Sequence, residues 1–159
     1  MNYRRWEESG YGLVEMLVAI SIFAVVMTLA ATAISHFWRV QSFSGAAAEV
    51  LMDISDAQVR AQSEVRAYKI NFNTTGESYQ VSRYKGPGVG DYEVVETRLL
   101  KEGVDLVTAE FFEVGAPGPE LFFLPRGISS GGSLVLRSRD LGRQRSITVS
   151  ELTSRVRMS

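Results

Sequence analysis

The 159-residue chain contains no cysteine and a single histidine, His36. It can therefore form neither a disulfide nor a thiolate metal site, and a zinc site built from cysteine and histidine is not expected. No Gly-x-Ser-x-Gly segment that would mark a nucleophilic serine is present. These absences argue against an enzyme and indicate no metal and no cofactor, and they leave packing alone to stabilise the fold.

Proline is also scarce, and none precedes Pro87. Because proline interrupts helices, the first half of the chain can hold one long helix. Apolar residues spaced three and four apart continue from Val40 to Val65, which is typical of a helix with one buried face. The pattern predicts a helix from about Tyr11 to Arg66.

The N-terminal part of this helix is almost uniformly apolar. The run from Met16 to Ile34 is interrupted only by Ser21, Thr28 and Thr32. About twenty apolar residues are enough for a helix to cross the hydrocarbon core of a bilayer. One carboxylate, Glu15, stands at the start of the run, and an ionisable group in such a segment indicates a function.

Two ordinary explanations of this N-terminus remain open. A cleaved secretory signal would use the basic pair Arg4 and Arg5 and the Ala-Thr-Ala segment 31–33, although acidic residues follow the pair and the run is too long. A plain membrane anchor would explain the apolar run, with the N-terminus kept in the cytoplasm by the two arginines, but it gives no reason for Glu15.

From Ala67 onward the apolar residues alternate with polar ones, which is typical of strands with one buried face. Turns rich in glycine, proline and serine separate the strands. The pattern predicts an antiparallel sandwich or sheet of seven strands, at residues 67–73, 79–84, 92–100, 104–114, 120–124, 133–139 and 145–152.

Charge is unevenly distributed, although the net charge is only −1. Residues 91–120 are rich in acids, and every basic residue from position 121 to the end is arginine. These arginines could line the wet face of strands, or they could bind phosphate or the acidic stretch of an adjacent subunit. No aromatic residue follows Phe123, so a stacking platform for bases is not expected there.

The segment from Gly10 to Leu17, GYGLVEML, resembles the leader of type IV pilins and type II secretion pseudopilins. The resemblance implies that a prepilin peptidase cleaves between Gly10 and Tyr11 and that Tyr11 is then methylated. It also implies that Glu15, the fifth mature residue, pairs with the N-terminal amine of a neighbouring subunit. Tyr11 and Gly12 replace the usual phenylalanine and threonine.

The C-terminal order of motifs resembles the GspH/FimT branch of minor pilins and pseudopilins. It comprises FFLPRG at 122–127, RQRSITVS at 143–150 and SRVR at 154–157, where Ser154 replaces a glycine. The branch implies an α+β fold, with one long N-terminal helix packed on a small antiparallel two-sheet domain. The expected division is a leader at 1–10, a transmembrane helix half at 11–36, an amphipathic helix half at 37–66 and a β domain at 67–159.

The resemblance implies a minor subunit of a type II secretion pseudopilus or a type IV pilus, which supports protein secretion or pilus assembly. The expected partners are other pilin or pseudopilin subunits, the prepilin peptidase and the inner membrane, with the C-terminal domain in the periplasm. A FimT-like alternative binds extracellular DNA for natural transformation. It would use four arginines: Arg143, Arg145, Arg155 and Arg157.

Overall fold

The structure is a computed structural model that describes residues 12–86, 91–112, 117–151 and 155–159. In this part of the chain one helix precedes nine strands. They are α1 (Leu13–Ser63), β1 (Tyr68–Asn73), β2 (Ser78–Tyr84), β3 (Tyr92–Leu99), β4 (Val104–Phe112), β5 (Pro117–Gly118), β6 (Glu120–Phe123), β7 (Gly132–Ser138), β8 (Gln144–Val149) and β9 (Val156–Met158). The chain divides into two compact units, Met1–Trp38 and Arg39–Ser159.

In the first unit, the described residues are almost entirely helical and all are exposed. In the second unit, α1 continues and buries one stripe at the predicted spacing of three and four residues. The fully buried members are Phe43, Ala46, Ala47, Val50, Ile54, Ala57 and Ala61. This stripe is the apolar face that the sequence predicts, and it belongs to the hydrophobic core of the second unit.

The helix ends at Ser63, three residues before the predicted end at Arg66. The Arg66 N–H donates a hydrogen bond to the Ala61 carbonyl at 3.2 Å, and Val65 has a φ of 52°. This is the geometry of a Schellman C-cap, in which glycine usually takes the left-handed position. Val65 therefore leaves the stripe, and its side chain is 74% exposed.

The strands form two antiparallel sheets, as predicted. The four-stranded sheet has the order β3-β2-β1-β6, and the five-stranded sheet has the order β5-β4-β7-β8-β9. The apolar residues of both inner faces join the helix stripe in one core, where the Phe72 and Phe111 rings stack with centroids 5.5 Å apart. The predicted fold, one long helix with two antiparallel sheets, is therefore confirmed.

The strand count differs from the prediction of seven. The two additional strands are β5, which lies in a segment expected to be a turn, and β9 near the C-terminus. They have only two and three residues, so neither is long enough to show a period of two. Both depend on pairing with a neighbouring strand, β4 for β5 and β8 for β9.

Charged side chains connect the elements around the core. The Tyr79 hydroxyl donates to the Asp53 carboxylate on α1, and burial together with this hydrogen bond raises the pKa of Tyr79. Lys101 forms an ion pair with Glu49 of α1 at 3.2 Å. These contacts link the helix to β2 and to the turn after β3, beside the apolar stripe.

Candidate functional site

The first turn of α1 carries Glu15, the residue that the sequence singles out for filament assembly. The Glu15 and Met16 N–H groups donate to the Gly12 carbonyl at 2.9 and 3.2 Å, which closes the start of the helix. A carboxylate in this turn interacts favourably with the positive end of the helix dipole. Gly10 and Tyr11, the predicted processing site, lie outside the described residues.

The helix after Glu15 has the length and composition to cross a membrane. It contains an 18-residue window with a mean hydropathy of 2.5, of which none is buried. The hydroxyls of Ser21 and Thr28 donate to carbonyls four residues earlier, at 2.7 and 2.6 Å, and Thr32 donates to Leu29 at 2.8 Å. Because the helix satisfies these polar groups itself, they are compatible with a lipid environment.

The four predicted arginines do not form one cluster. Arg155 and Arg157 lie beside each other at the β9 edge of the five-stranded sheet, where they line a recess of about 290 Å³ together with Thr148 and Ser150. Val156 and Met158 pack against the core, so the alternation of β9 sends Arg157 to the outer face.

Arg143 and Arg145 are placed differently. Arg143 is exposed in the turn before β8. Arg145 is half-buried and pairs with the buried Leu136 in the sheet register, so it belongs to the inner face and not to the face of Arg155. The structure thus brings together two of the four predicted residues and separates them from the other two.

Two further residues share the outer face with Arg155 and Arg157, and the sequence analysis missed both. Glu110 and Phe112 are exposed on β4, where they alternate with the buried Ala109 and Phe111. The register joins β4 to β9 through β7 and β8. The sequence shows the alternation within β4. It does not show the strand order, which places the outward residues of β4 and β9 on the same face of the sheet.

The acidic stretch 91–120 is largely paired within the chain. Arg139 bonds to both Asp105 and Glu77, and its hydrogen bond to Asp105 holds the pKa of that carboxyl below its usual range. Lys69 forms an ion pair with Glu120 at 3.1 Å. The expected contact between this stretch and an adjacent subunit therefore has fewer free carboxylates than the sequence suggests. Within the described residues, no group of three or more histidine, cysteine or acidic residues is arranged to hold a metal ion.

The comparisons with known proteins address the N-terminal motif and the fold separately. The model of the prokaryotic N-terminal methylation motif matches residues 8–31. A structure of the minor pseudopilin EpsH from the type 2 secretion system of Vibrio cholerae is 16% identical, covers 74% of this chain and 96% of its own, and has a TM-score of 0.59. A crystal structure of the same pseudopilin is 14% identical, with coverages of 74% and 93% and a TM-score of 0.57.

A search of the curated proteins finds no match to this sequence. The two matching findings nevertheless agree with each other. The methylation motif is the signal that the leader segment resembles. The matched fold is the architecture that the C-terminal motifs imply. The chain is therefore type IV pilin-like in its N-terminal methylation motif, and it has the fold of a GspH-type minor pseudopilin.

Proposed function

We propose that this chain is a minor structural subunit of a type II secretion pseudopilus, or of a related type IV pilus, and not an enzyme. The observation that carries the proposal is Glu15, the one charged side chain between residues 12 and 35, at the start of a fully exposed apolar helix. The structural likeness to a minor pseudopilin of a type 2 secretion system supports the role of a filament subunit.

In this proposal, cleavage between Gly10 and Tyr11 creates the partner that Glu15 needs. The new N-terminal amine is cationic, and a methylated amine keeps that charge. A carboxylate at the centre of a membrane-spanning helix costs about 2.5–3.5 kcal/mol, and one near the helix start, as Glu15 is, costs less. An amine from a neighbouring copy would offset at most a cost of this order. The pairing would also fix the axial position of one subunit relative to the next.

The orientation follows from the basic residues of the leader. Arg4 and Arg5 precede the apolar run, and positive residues favour the cytoplasmic side. The N-terminus would lie in the cytoplasm, where the prepilin peptidase cleaves, and the unit from Arg39 onward would lie in the periplasm. The inner membrane and the other subunits of the filament are the partners in this arrangement.

The test is incorporation of Glu15→Ala into filaments in cells that carry the assembly machinery. We expect a cleaved, membrane-inserted chain with a folded β domain that does not enter filaments. Asp56→Ala is the matched control, because it removes an exposed acid from the same helix in the second unit and should assemble normally. Normal incorporation of Glu15→Ala would contradict the role of this carboxylate.

DNA binding is a second candidate, and the recess at the β9 edge favours it. Arg155 and Arg157 line this recess with the hydroxyls of Thr148 and Ser150, and neither arginine forms an ion pair within the described part of the chain. Two adjacent guanidinium groups with hydroxyl donors are suited to phosphate oxygens. Arg143, in the turn before β8, lies outside the recess, and Arg145 belongs to the inner face of the sheet.

A gel-shift salt series on the full chain in detergent micelles tests this candidate. Phosphate contacts make binding salt-dependent, and each one lost lowers the salt slope by about 1. The double variant Arg155→Ala with Arg157→Ala should weaken binding strongly, while Arg126→Ala, an exposed arginine outside the recess, should not. Absence of binding at low salt, or binding that the double variant leaves unchanged, would exclude the recess as a DNA site.

A further inference from the structure

The pairing register places four side chains in one row across the outer face of the five-stranded sheet. Glu110 pairs with Ser133, Ser133 with Thr148, and Thr148 with Arg157. Paired residues of antiparallel strands lie on the same face, and neighbouring strands are about 4.8 Å apart. The row therefore begins with a carboxylate, continues through two hydroxyls and ends with a guanidinium.

A second row on the same face lies two residues further along the strands. The Phe112 N–H donates to the Gly131 carbonyl at 2.7 Å, and the Ser150 N–H donates to the Arg155 carbonyl at 3.0 Å. Phe112, which is 67% exposed, thus lies at the β4 end and Arg155 at the β9 end. Only a glycine and a serine separate them, so the face is low in the middle and raised at both ends.

The charged groups of this face are available for a partner. Within the described ranges, Glu110, Arg155 and Arg157 form no ion pair and no side-chain hydrogen bond. This contrasts with Asp105 on the same strand as Glu110, which is paired with Arg137 and Arg139. The face therefore presents one unpaired anion and an aromatic ring at one end, and two unpaired cations at the other.

We propose that this face docks on the same face of a second copy of the chain. A half-turn about an axis parallel to the strands, between β7 and β8, exchanges the two ends of each row. Glu110 then lies opposite the partner's Arg157, and Phe112 lies opposite the partner's Arg155, where a guanidinium over the ring gives a cation–π contact. Symmetry makes each contact twice.

The small residues in the middle allow the two sheets to approach. Ser133, Thr148, Gly131 and Ser150 carry short side chains or none, and packed sheets lie about 10 Å apart with their strands nearly aligned. At that distance, the long side chains at the ends can reach across. The face spans only about 14 Å between β4 and β9, because three strand spacings separate them, so the pair buries less than the roughly 1,000 Å² of a stable interface and is transient.

Cross-linking of the full chain in nuclease-treated detergent micelles tests this inference. Because the chain has no cysteine, Thr148→Cys supplies a sole thiol at the middle of the face. A short bismaleimide should link two copies of this variant. Gln80→Cys, exposed on the outer face of the other sheet, is the matched control and should cross-link much less, since that face is not part of the proposed contact.

Charge reversal gives the sharper result. Adding Glu110→Arg or Arg157→Glu to the Thr148→Cys chain should each lower cross-linking about tenfold, because like charges then meet twice. A mixture of the two reversed chains should recover it, since each reversed residue meets its opposite in the other chain. Circular dichroism of each variant is the control for a retained fold.

Three outcomes would overturn the inference. Equal cross-linking of Gln80→Cys would show that the copies associate through another part of the chain. Failure of the mixture to recover cross-linking would exclude the symmetric arrangement. Stronger cross-linking of the Glu110→Arg variant would show that an anion other than Glu110 bridges the two copies. None of these results bears on Glu15, so the proposed filament role is tested separately.

Discussion

The apolar residues in the two parts of α1 are covered differently. Leu17 in the first unit is 56% exposed, whereas Ile54 in the second unit is fully buried. Residues 39–63 have one apolar stripe, which the two sheets cover. Residues 13–38 are apolar on all sides, and none of them is buried.

The difference shows which part of the helix the fold itself needs. A single apolar stripe packs against a sheet face of the same chain, so the chain itself buries the apolar area of the stripe. A helix that is apolar all round requires lipid or the helices of other chains to cover it. Substitutions in the two parts should therefore act on different properties, namely domain stability for the second and insertion or assembly for the first.

The largest expected contrast is between Ile54→Ala and Ile20→Ala. Removing the buried side chain of Ile54 should lower the free energy of unfolding of the β domain by about 2–5 kcal/mol. Ile20 is 65% exposed, and its truncation should leave that free energy unchanged. Denaturant unfolding of both full-length variants in micelles, followed by tyrosine circular dichroism, measures the two values. Equal losses would mean that the first unit contributes to the domain core.

A pair of glycines gives the next contrast. A Cβ on Gly132 would lie 2.6 Å from the Phe111 Cα and closer still to the Glu110 carbonyl, so Gly132→Ala should destabilise the sheet by about 1–3 kcal/mol. Gly45 in α1 has nothing within 4 Å of such a Cβ. Gly45→Ala should stabilise the chain by about 1 kcal/mol, because glycine is a poor helix former. The same unfolding measurement separates the two signs.

The end of α1 offers a smaller effect of known direction. Val65 holds a φ of 52°, and the left-handed conformation costs an L-residue about 1–2 kcal/mol. Val65→Gly should raise the melting temperature, since glycine is the usual residue at this cap. Val59→Gly, an exposed valine within the helix, is the control and should lower it. A lowered melting temperature for Val65→Gly would contradict the cap geometry.

The smallest expected effect is on the acid side of the pH profile. Arg139 depresses the pKa of Asp105 in the folded chain below its ordinary value of 3.8. A carboxylate whose pKa is depressed by folding stabilises the fold at pH values above its unfolded-state pKa. This stabilisation is lost as the pH falls through its folded-state pKa. Asp105→Asn should therefore flatten the decline in stability below about pH 4. An unchanged profile would mean that the pairing with Arg139 does not persist in solution.

The sequence predicted most of the fold because its signals are periodic. The stripe around Ile54 and the alternation around Ile70 each repeat over several residues, so the helix and the longer strands were identified correctly. The helix end was missed because Val65, not glycine, takes the left-handed cap. The short strands β5 and β9 were missed because they depend on partners distant in sequence.

The candidate sites were predictable only as local patterns. Glu15 stands out because one acid precedes an apolar run, and the structure places it in the first helical turn. The arginines stand out as a composition, but strand register decides that Arg155 and Arg157 share a face and that Arg145 does not. Phe112 lies on the same face because β4 is connected to β9 by successive strand pairings. No single segment of the sequence encodes these pairings.

The central claim is that the apolar helix is a processed filament element whose acid meets a newly made amine. Mass spectrometry of the N-terminus of the chain isolated from its native membrane tests this claim most directly. The account predicts a mature chain that begins with N-methylated Tyr11. A chain that begins at Met1, or one cut after Ala33 as a secretory signal would be, would contradict it.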